Sequence, residues 1–397
     1  MSEPGQDDEQ PSAPTRATAP SHRVAAMPRD SIITVVLVSV LALAGVSVAA
    51  WAGISRTTDD PAPAAASGST KAPSTPQTTI TPSIPPPPPP TQTAVQVPEL
   101  TLPTLKQVDR KLKKRGFERI AADRVQTLSF VVSSFNVLGA SHTRGPGRRP
   151  GFAGAEERLP GQLAELERKQ VSIAGLQEFQ YPQVAQLASL TGDTWGIFPG
   201  TSLGERLADN SIIWRNDTWE LVESQTIDIP YFGGAPMPMP YVLLEHRETG
   251  RRVWVGNFHN PANIGGDHAG WRQRALELEA DLAQRLHADG TPVIITGDMN
   301  DREAFACPFA ARSGMVSAEG AYDDNGQCML PAQLNVDWIW GTTDMQFGSF
   351  LTDYGVQDRK LTDHPMITAT STLAGADQQE GCQTRITRSG PYWYCKV

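Results

Sequence analysis

The chain has 397 residues, four cysteines and a formal net charge of −9. That overall sign excludes nucleic-acid binding driven by a generally basic exterior, although a nuclease needs only a local groove. The length suits one large domain or two average ones, and much of the proline falls before residue 104, including an unbroken run from Pro85 to Pro90.

Residues 1–30 are polar and Pro-rich and read as a disordered cytoplasmic tail. No charged residue lies between Asp30 and Arg56, and positions 32–54 are almost wholly apolar. A bilayer-crossing helix needs about 20 such residues, whereas the apolar core of a secretory signal is only about 7–15 long. Residues 31–55 are therefore predicted to form an uncleaved transmembrane signal-anchor. The alternative is a cleaved peptide, with Ala50-Trp51-Ala52 the nearest small-x-small site. Arg16, Arg23 and Arg29 precede the segment, and Asp59 and Asp60 follow it. This predicts a single-pass protein of the cell membrane with its N-terminus cytoplasmic and everything after the helix extracellular.

Residues 56–103 are rich in Pro, Ala, Ser and Thr and cannot bury a core, so they read as an extended extracellular linker. In residues 104–126, Lys106, Arg110, Lys111, Lys113, Lys114, Arg115 and Arg119 accompany Leu105, Val108 and Leu112 at helical spacing. The expectation is a basic helical stalk running to about residue 124. Such a helix either touches acidic envelope polymers or lipid headgroups, or packs one face on the domain.

From Leu128 onward strands alternate with helices. Strands are expected over 128–138, 171–176, 211–214, 219–227, 241–245, 253–258, 292–296, 335–340 and 366–370, with helices over 156–169 and 266–287. Many strands with few helices between them predict a four-layered α/β sandwich over 127–372, two packed mixed sheets flanked by helices, rather than one doubly wound sheet. The Pro-rich apolar segment 231–240 reads as a substrate-side lip or a packed loop. Residues 373–397 read as a stapled tail. An even cysteine count in an exported chain suggests two disulfides, with four buried thiols as the alternative. Cys307–Cys328 and Cys382–Cys395 are favoured because neighbours in sequence close short loops most easily.

Polar residues sit at the ends of the apolar strands: Asn136, Glu178, His259, Asp298, Asn300, Asp337, Asp363 and His364. Strand ends fix the backbone while the adjoining loop opens to solvent, which is where functional side chains gather. Singly, each has an ordinary explanation as a cap, a turn residue or a satisfied structural histidine. As a set, the oxygen ligands suit a hard divalent cation such as Mg²⁺ or Mn²⁺. Two histidines beside acids suit proton transfer and stabilisation of phosphoryl charge.

Ser134-Phe135-Asn136-Val137-Leu138, Leu176-Gln177-Glu178, Asn257-Phe258-His259, Thr296-Gly297-Asp298-Met299-Asn300, Val336-Asp337-Trp338-Ile339 and Thr362-Asp363-His364-Pro365-Met366 resemble the ordered motifs of the endonuclease/exonuclease/phosphatase superfamily. The resemblance covers about residues 127–370. It implies the same four-layered sandwich, with an active site at one edge of the two sheets. It also implies that Glu178 ligates the metal with Asn136 and Asp363 close by. Asp298 would orient and deprotonate the attacking water, and Asn300 would hold the water or the phosphate. Asp337 would fix His364, and His364 and His259 would contact the phosphate oxygens, His259 also protonating the leaving oxygen. Where many relatives have Leu after the histidine, this chain has Asn260-Pro261-Ala262-Asn263, so Asn260 becomes a candidate substrate contact. Asn210 and Arg206, before the strand at 211–214, are further candidates. Arg144, Arg148 and Arg149 either grip a polyanion or belong to a solvated loop.

The function expected on these grounds is a membrane-anchored, extracytoplasmic, metal-dependent phosphoesterase, first of all a nuclease-like phosphodiesterase. The alternatives are a phosphoesterase of lipid headgroups or small organophosphates, and a non-catalytic surface module. The last would be expected to have replaced Glu178, Asp298 or His364, and all three are present. Oligomeric state is left open.

Overall fold

The computed structural model describes residues 101–146 and 148–397, so the expected tail, the membrane anchor and nearly all of the linker lie outside the described residues. Among the described residues no helix is long and apolar enough to cross a membrane. In chain order the elements are α1 (Leu105–Lys113), β1 (Phe117–Arg119), β2 (Leu128–Asn136), α2 (Ala155–Arg168), β3 (Val171–Gln177), α3 (Tyr181–Thr191), β4 (Trp195–Phe198), β5 (Asn210–Arg215), β6 (Trp219–Pro230), β7 (Pro236–His246), β8 (Arg252–His259) and α4 (Ala269–His287). They continue with β9 (Val293–Asp298), α5 (Glu303–Ser313), β10 (Val316–Ser317), β11 (Tyr322–Asp324), β12 (Gln327–Met329), β13 (Asp337–Gly341), β14 (Met345–Asp353), α6 (Gly355–Asp358), β15 (Met366–Leu373), β16 (Cys382–Thr387) and β17 (Gly390–Lys396).

Twelve of the strands build two six-stranded sheets, ordered β14-β15-β2-β3-β5-β4 and β10-β13-β9-β8-β7-β6. Each sheet has one parallel pair, β2 with β3 and β8 with β9, and each pair is joined through a helix, α2 or α4. Period-two alternation explains how these strands bury both faces. Along β2, Leu128, Phe130 and Val132 enter the core between the sheets, while Val131 and Phe135 face α2. Ile173, Trp214, Trp219, Val255, Ile294, Ile339 and Ile367 complete that central layer. Leu159, Leu163 and Leu166 of α2 cover one outer face, and Ala275, Leu276, Ala280 and Ala283 of α4 with Phe305 and Phe309 of α5 cover the other. Burying each large side chain stabilises the fold by about 1.5–3 kcal/mol.

Near the site the apolar core gives way to a polar bridge between the sheets. Gln177 Nε2 donates to Asn257 Oδ1 (2.6 Å), and Asn257 Nδ2 donates to the carbonyls of Leu176 (2.9 Å) and Ser211 (3.1 Å). Gly175 lets the sheets close there, because a Cβ would lie 2.0 Å from Thr296 Oγ1 and 2.5 Å from Asn257 Oδ1.

The segment 104–126 departs from the expected continuous helix. Thr104 and Gln107 form a capping box that starts α1, but the helix stops at Lys113 and the chain turns at Gly116 (φ +76°). It then enters β1, which pairs with β17, so the two chain segments flanking the sandwich join in a three-stranded sheet, β1-β17-β16. Val108, Leu112 and Tyr394 form its small core. Both favoured disulfides are present, Cys307–Cys328 linking α5 to β12 and Cys382–Cys395 closing the β16–β17 hairpin. Segment 231–240 is only partly a loop, since Pro236 already begins β7.

Candidate active site

Cross-strand register gathers the polar strand ends. Asp298 ends β9 opposite His259 of β8 on one side and Asp337 of β13 on the other, a row of three across three strands. In the facing sheet, Asn136 at the end of β2 lies opposite Gln177, one residue before Glu178. Three non-glycine residues at these exits adopt the left-handed region: Leu138 (φ 56°), Glu178 (φ 57°) and Asn300 (φ 49°). Each such conformation costs about 1–3 kcal/mol and persists only where the surroundings enforce it, as they do at functional sites.

Asp298 is the hub, nearly fully buried. Its Oδ1 accepts the Asn300 backbone N–H (3.0 Å) and its Oδ2 accepts Asn136 Nδ2 (3.1 Å). The same Oδ2 lies 3.7 Å from His259 Nε2 and 3.6 Å from His364 Nε2. His364 Nδ1 is 3.0 Å from Asp337 Oδ2, which assigns the proton to that nitrogen. Burial pulls the His364 pKa down, but Asp337 and Asp298 overrule it and push the ring up to about 10. At neutral pH the ring is therefore an imidazolium with Nε2 aimed at the centre.

Glu178 takes up the other side. Its Oε1 accepts Asn136 Nδ2 (3.1 Å), its Oε2 accepts the Gly139 N–H (2.8 Å), and His142 Nε2 is 3.2 Å from that same oxygen. Burial opposes ionisation, yet the His142 hydrogen bond, the His259 charge and the Gly139 N–H together hold Glu178 well below the usual carboxylate range.

Several expected roles change. Asn136 presents nitrogen, not oxygen, to the centre: its Oδ1 is occupied by the Leu138 N–H (3.1 Å), so it bridges two carboxylates and is not placed as a metal ligand. Asp363 pairs with Arg149 through Oδ2, while its buried Oδ1 has no donor. Asn260 is fully buried, with Nδ2 turned to Met299 Sδ (3.7 Å), so its side chain does not face substrate. Its backbone instead ties the loop to the site, the N–H donating to the Asp298 carbonyl (2.9 Å) and the carbonyl accepting Asn300 Nδ2 (2.8 Å). Asn210 opens β5 beside Gln177, buried, with Oδ1 unpartnered. Arg206 stands exposed on the turn Glu205–Leu207. Arg144 pairs with Glu156, and Arg148 is exposed.

Nothing in the sequence marks His142, whereas Tyr231 belongs to the 231–240 segment expected as a substrate-side lip or a packed loop. His142 sits in a short turn with no strand to mark it. The Tyr231 ring, from the 231–240 segment, is 6.0 Å from that of His259. Burial, and then the charges of Glu178, Asp298 and Asp209, push its hydroxyl pKa upward, so it remains a proton donor.

Carboxylate oxygens of Asp298 and Asp337 and a ring nitrogen of His364 lie within 4.8 Å of one another. In this trio Asp337 is already engaged by His364 Nδ1, which leaves fewer free donor atoms for an ion. Ionised Glu178 supplies hard oxygen of the kind Mg²⁺ or Mn²⁺ takes, and Asp363 Oδ1 is a further carboxylate oxygen without a donor.

A family model described as "Endonuclease/Exonuclease/phosphatase family" matches residues 133–364, more than half of the chain. No curated protein sequence matches. Similar solved structures include an endonuclease/exonuclease/phosphatase family protein from Bacteroides thetaiotaomicron, with 16% identity, covering 63% of this chain and 96% of that one at a TM-score of 0.47. The catalytic domain of human nocturnin with bound sulfate shows 18% identity, 64% and 96% coverage and a TM-score of 0.48. A mannosyl-6-phosphatase from Bacteroides thetaiotaomicron shows 16% identity, 61% and 99% coverage and a TM-score of 0.46.

Proposed function

The chain belongs to the endonuclease/exonuclease/phosphatase family, and from that premise we propose that it is a membrane-anchored, extracytoplasmic, divalent-metal-dependent hydrolase of phosphate esters, in the first place a nuclease-like phosphodiesterase. One observation carries the chemistry: His259 Nε2 and His364 Nε2 approach the same oxygen of a buried aspartate, and one of those rings is backed by a second aspartate.

Mg²⁺ or Mn²⁺, held by Glu178 with Asp363 near in sequence to the site, would neutralise charge on the phosphate. Asp298 takes a proton from water as the water oxygen bonds to phosphorus in line with the leaving group. The phosphorus–oxygen bond to that group breaks, and His259 gives the departing oxygen its proton. His364, kept cationic by Asp337, donates Nε2–H to a non-bridging oxygen as charge builds, and Asn300 orients the water or the phosphate. Asn136 holds the Glu178 and Asp298 carboxylates at a fixed separation. The products are a phosphomonoester and an alcohol.

Lipid headgroups or small organophosphates form a second substrate reading. Phe232 follows Tyr231, and Ile264 is 64% exposed on the loop after His259, so apolar surface borders the site. Hydrolysis of bis-p-nitrophenyl phosphate by the purified protein with Mg²⁺ or Mn²⁺ tests the chemistry, and plasmid DNA, sphingomyelin and inositol phosphates then sort the substrates. No turnover on any of them, or undiminished turnover by Asp298→Ala, would overturn the assignment.

A further inference from the structure

The two chain segments that form the small sheet are strongly basic. Residues 104–119 and 382–397 carry ten Lys and Arg against two Asp and Glu, in a chain whose net charge is −9. Most of that charge lies on and just beyond α1. At about 100° per residue, Leu105, Val108 and Leu112 share one side of the helix, and Val108 and Leu112 are buried there against Tyr394. Lys106, Arg110, Lys111 and Lys113 occupy the rest of its circumference, with Lys114 and Arg115 just past its end, and all six are exposed. Among the described residues, the one ion pair within these two segments joins Arg119 to Asp109 (3.8 Å), and none of the six has a carboxylate partner. The helix dipole accounts for cations in the last turn, but not for Lys106 in the first.

This basic module sits at the end of the sandwich opposite the active site. β2 and β8 end at Asn136 and His259, and β15 starts two residues after His364, so the other ends of these strands are remote from the site. At those remote ends Arg251 Nη1 donates to the carbonyls of Gln126 (3.1 Å) and Leu373 (2.8 Å). There too, Arg119, Tyr392 and Trp393 of the small sheet line a cleft with Glu248 and Thr249 of the β7–β8 turn. The nine residues of β2, at about 3.3 Å each, separate the two poles by about 30 Å. Arg388 holds the carbonyls of Leu102 (2.8 Å) and Pro103 (3.0 Å), which fixes the incoming chain beside α1. Because α1 is the first element of the described residues, its basic face lies next to the tether on the anchor reading. We propose that the outer face of α1 seats the domain on an anionic lipid bilayer and leaves the catalytic edge at the far pole, open to phosphate esters arriving from outside rather than to the headgroups of that bilayer. The apolar side of α1 is already covered, so the cations meet lipid phosphates without insertion and the contact weakens with salt.

Lysine footprinting tests the seat. The purified full chain is combined with vesicles of phosphatidylcholine, alone or mixed with phosphatidylglycerol, and treated briefly with a water-soluble acetylating reagent. Mass spectrometry then reads the rate at each lysine. Phosphatidylglycerol should slow acetylation of Lys106, Lys111, Lys113 and Lys114 by about fivefold or more, and high salt should restore it. Lys360, exposed and close in sequence to Asp363 and His364, marks the catalytic pole and should react at the same rate on both vesicles. Reversing two exposed charges in the Lys111→Glu, Lys114→Glu double variant, checked for folding by circular dichroism, should remove the slowing and leave hydrolysis of bis-p-nitrophenyl phosphate unchanged. Equal rates at the α1 lysines on the two vesicles overturn the seat. Slowing at Lys360 by phosphatidylglycerol overturns the orientation. Protection by soluble polyphosphate but not by phosphatidylglycerol transfers the face to an anionic polymer and also overturns the proposal. The name given to the far pole rests on the hydrolase reading above, but the footprint needs no turnover. A protein inert on every phosphate ester that still shows the slowing loses that reading and keeps the seat.

Discussion

Asp337 and His364 are joined through Nδ1 at 3.0 Å, and that bond leaves His364 Nε2 directed at Asp298 Oδ2, 3.6 Å away. The aspartate determines both which nitrogen is presented to the centre and the charge the ring carries.

Replacing Asp337 by Asn keeps the shape and removes the anion. The expected loss in kcat is about 10²–10³-fold, the range for losing one preorganised charge donor, with KM changed far less. Steady-state kinetics that put the loss in KM alone would contradict the role given to the dyad.

The same pair predicts a stability profile. His364 has a folded pKa raised to about 10 against an ordinary 6.5. Its contribution is therefore fully present below about pH 6.5 and is lost as pH rises through about 10. In EDTA, the melting-temperature difference between wild type and His364→Gln should shrink steadily over that window. A difference that grows with pH would reverse the assignment of charge.

Chelation should abolish hydrolysis, with Mg²⁺ or Mn²⁺ restoring it. Glu178→Gln should raise the half-saturating metal concentration by about 10–100-fold, since it removes the ionised oxygens. His142→Ala, which strips one support from that carboxylate, should produce a smaller shift in the same titration. Full activity in EDTA would remove the metal from the mechanism.

Gly175→Ala should destabilise the sandwich by about 1–3 kcal/mol, because the new methyl meets Thr296 Oγ1 and Asn257 Oδ1 between the sheets. Urea unfolding measures the loss. A stability equal to wild type would mean the sheets can part locally at no penalty.

Protease added to intact cells should release a fragment containing residues 104–397 and spare an epitope fused at residue 1. Protection of both portions would overturn the orientation inferred from Arg16, Arg23, Arg29, Asp59 and Asp60.

The strands that carry the site were legible because both of their faces are buried, which leaves unbroken apolar runs such as 293–295. Strand β14 was not legible, because Gly348 and Ser349 interrupt its alternation at an irregular step in its pairing. The helix read through residue 124 failed at Gly116, whose left-handed backbone ends it. Motifs found Asp298, Asp337 and His364 but not that the Asn260 side chain is buried against Met299. Glu279 looks in sequence like any charged residue on an amphipathic helix. Only the packing of α4 shows that it is buried.

The pairing of β1 with β17 also has a mechanical consequence. Leu102 and Pro103 are held by Arg388 of the disulfide-closed hairpin (2.8 and 3.0 Å), and Gly116 accepts the Val397 N–H (2.9 Å). If residues 31–55 anchor the chain, tension on the tether reaches this small stapled sheet first. The sheet would act as a strain relief, letting the enzyme be pulled about at a surface without disturbing the spacing of Asp298, His259 and His364.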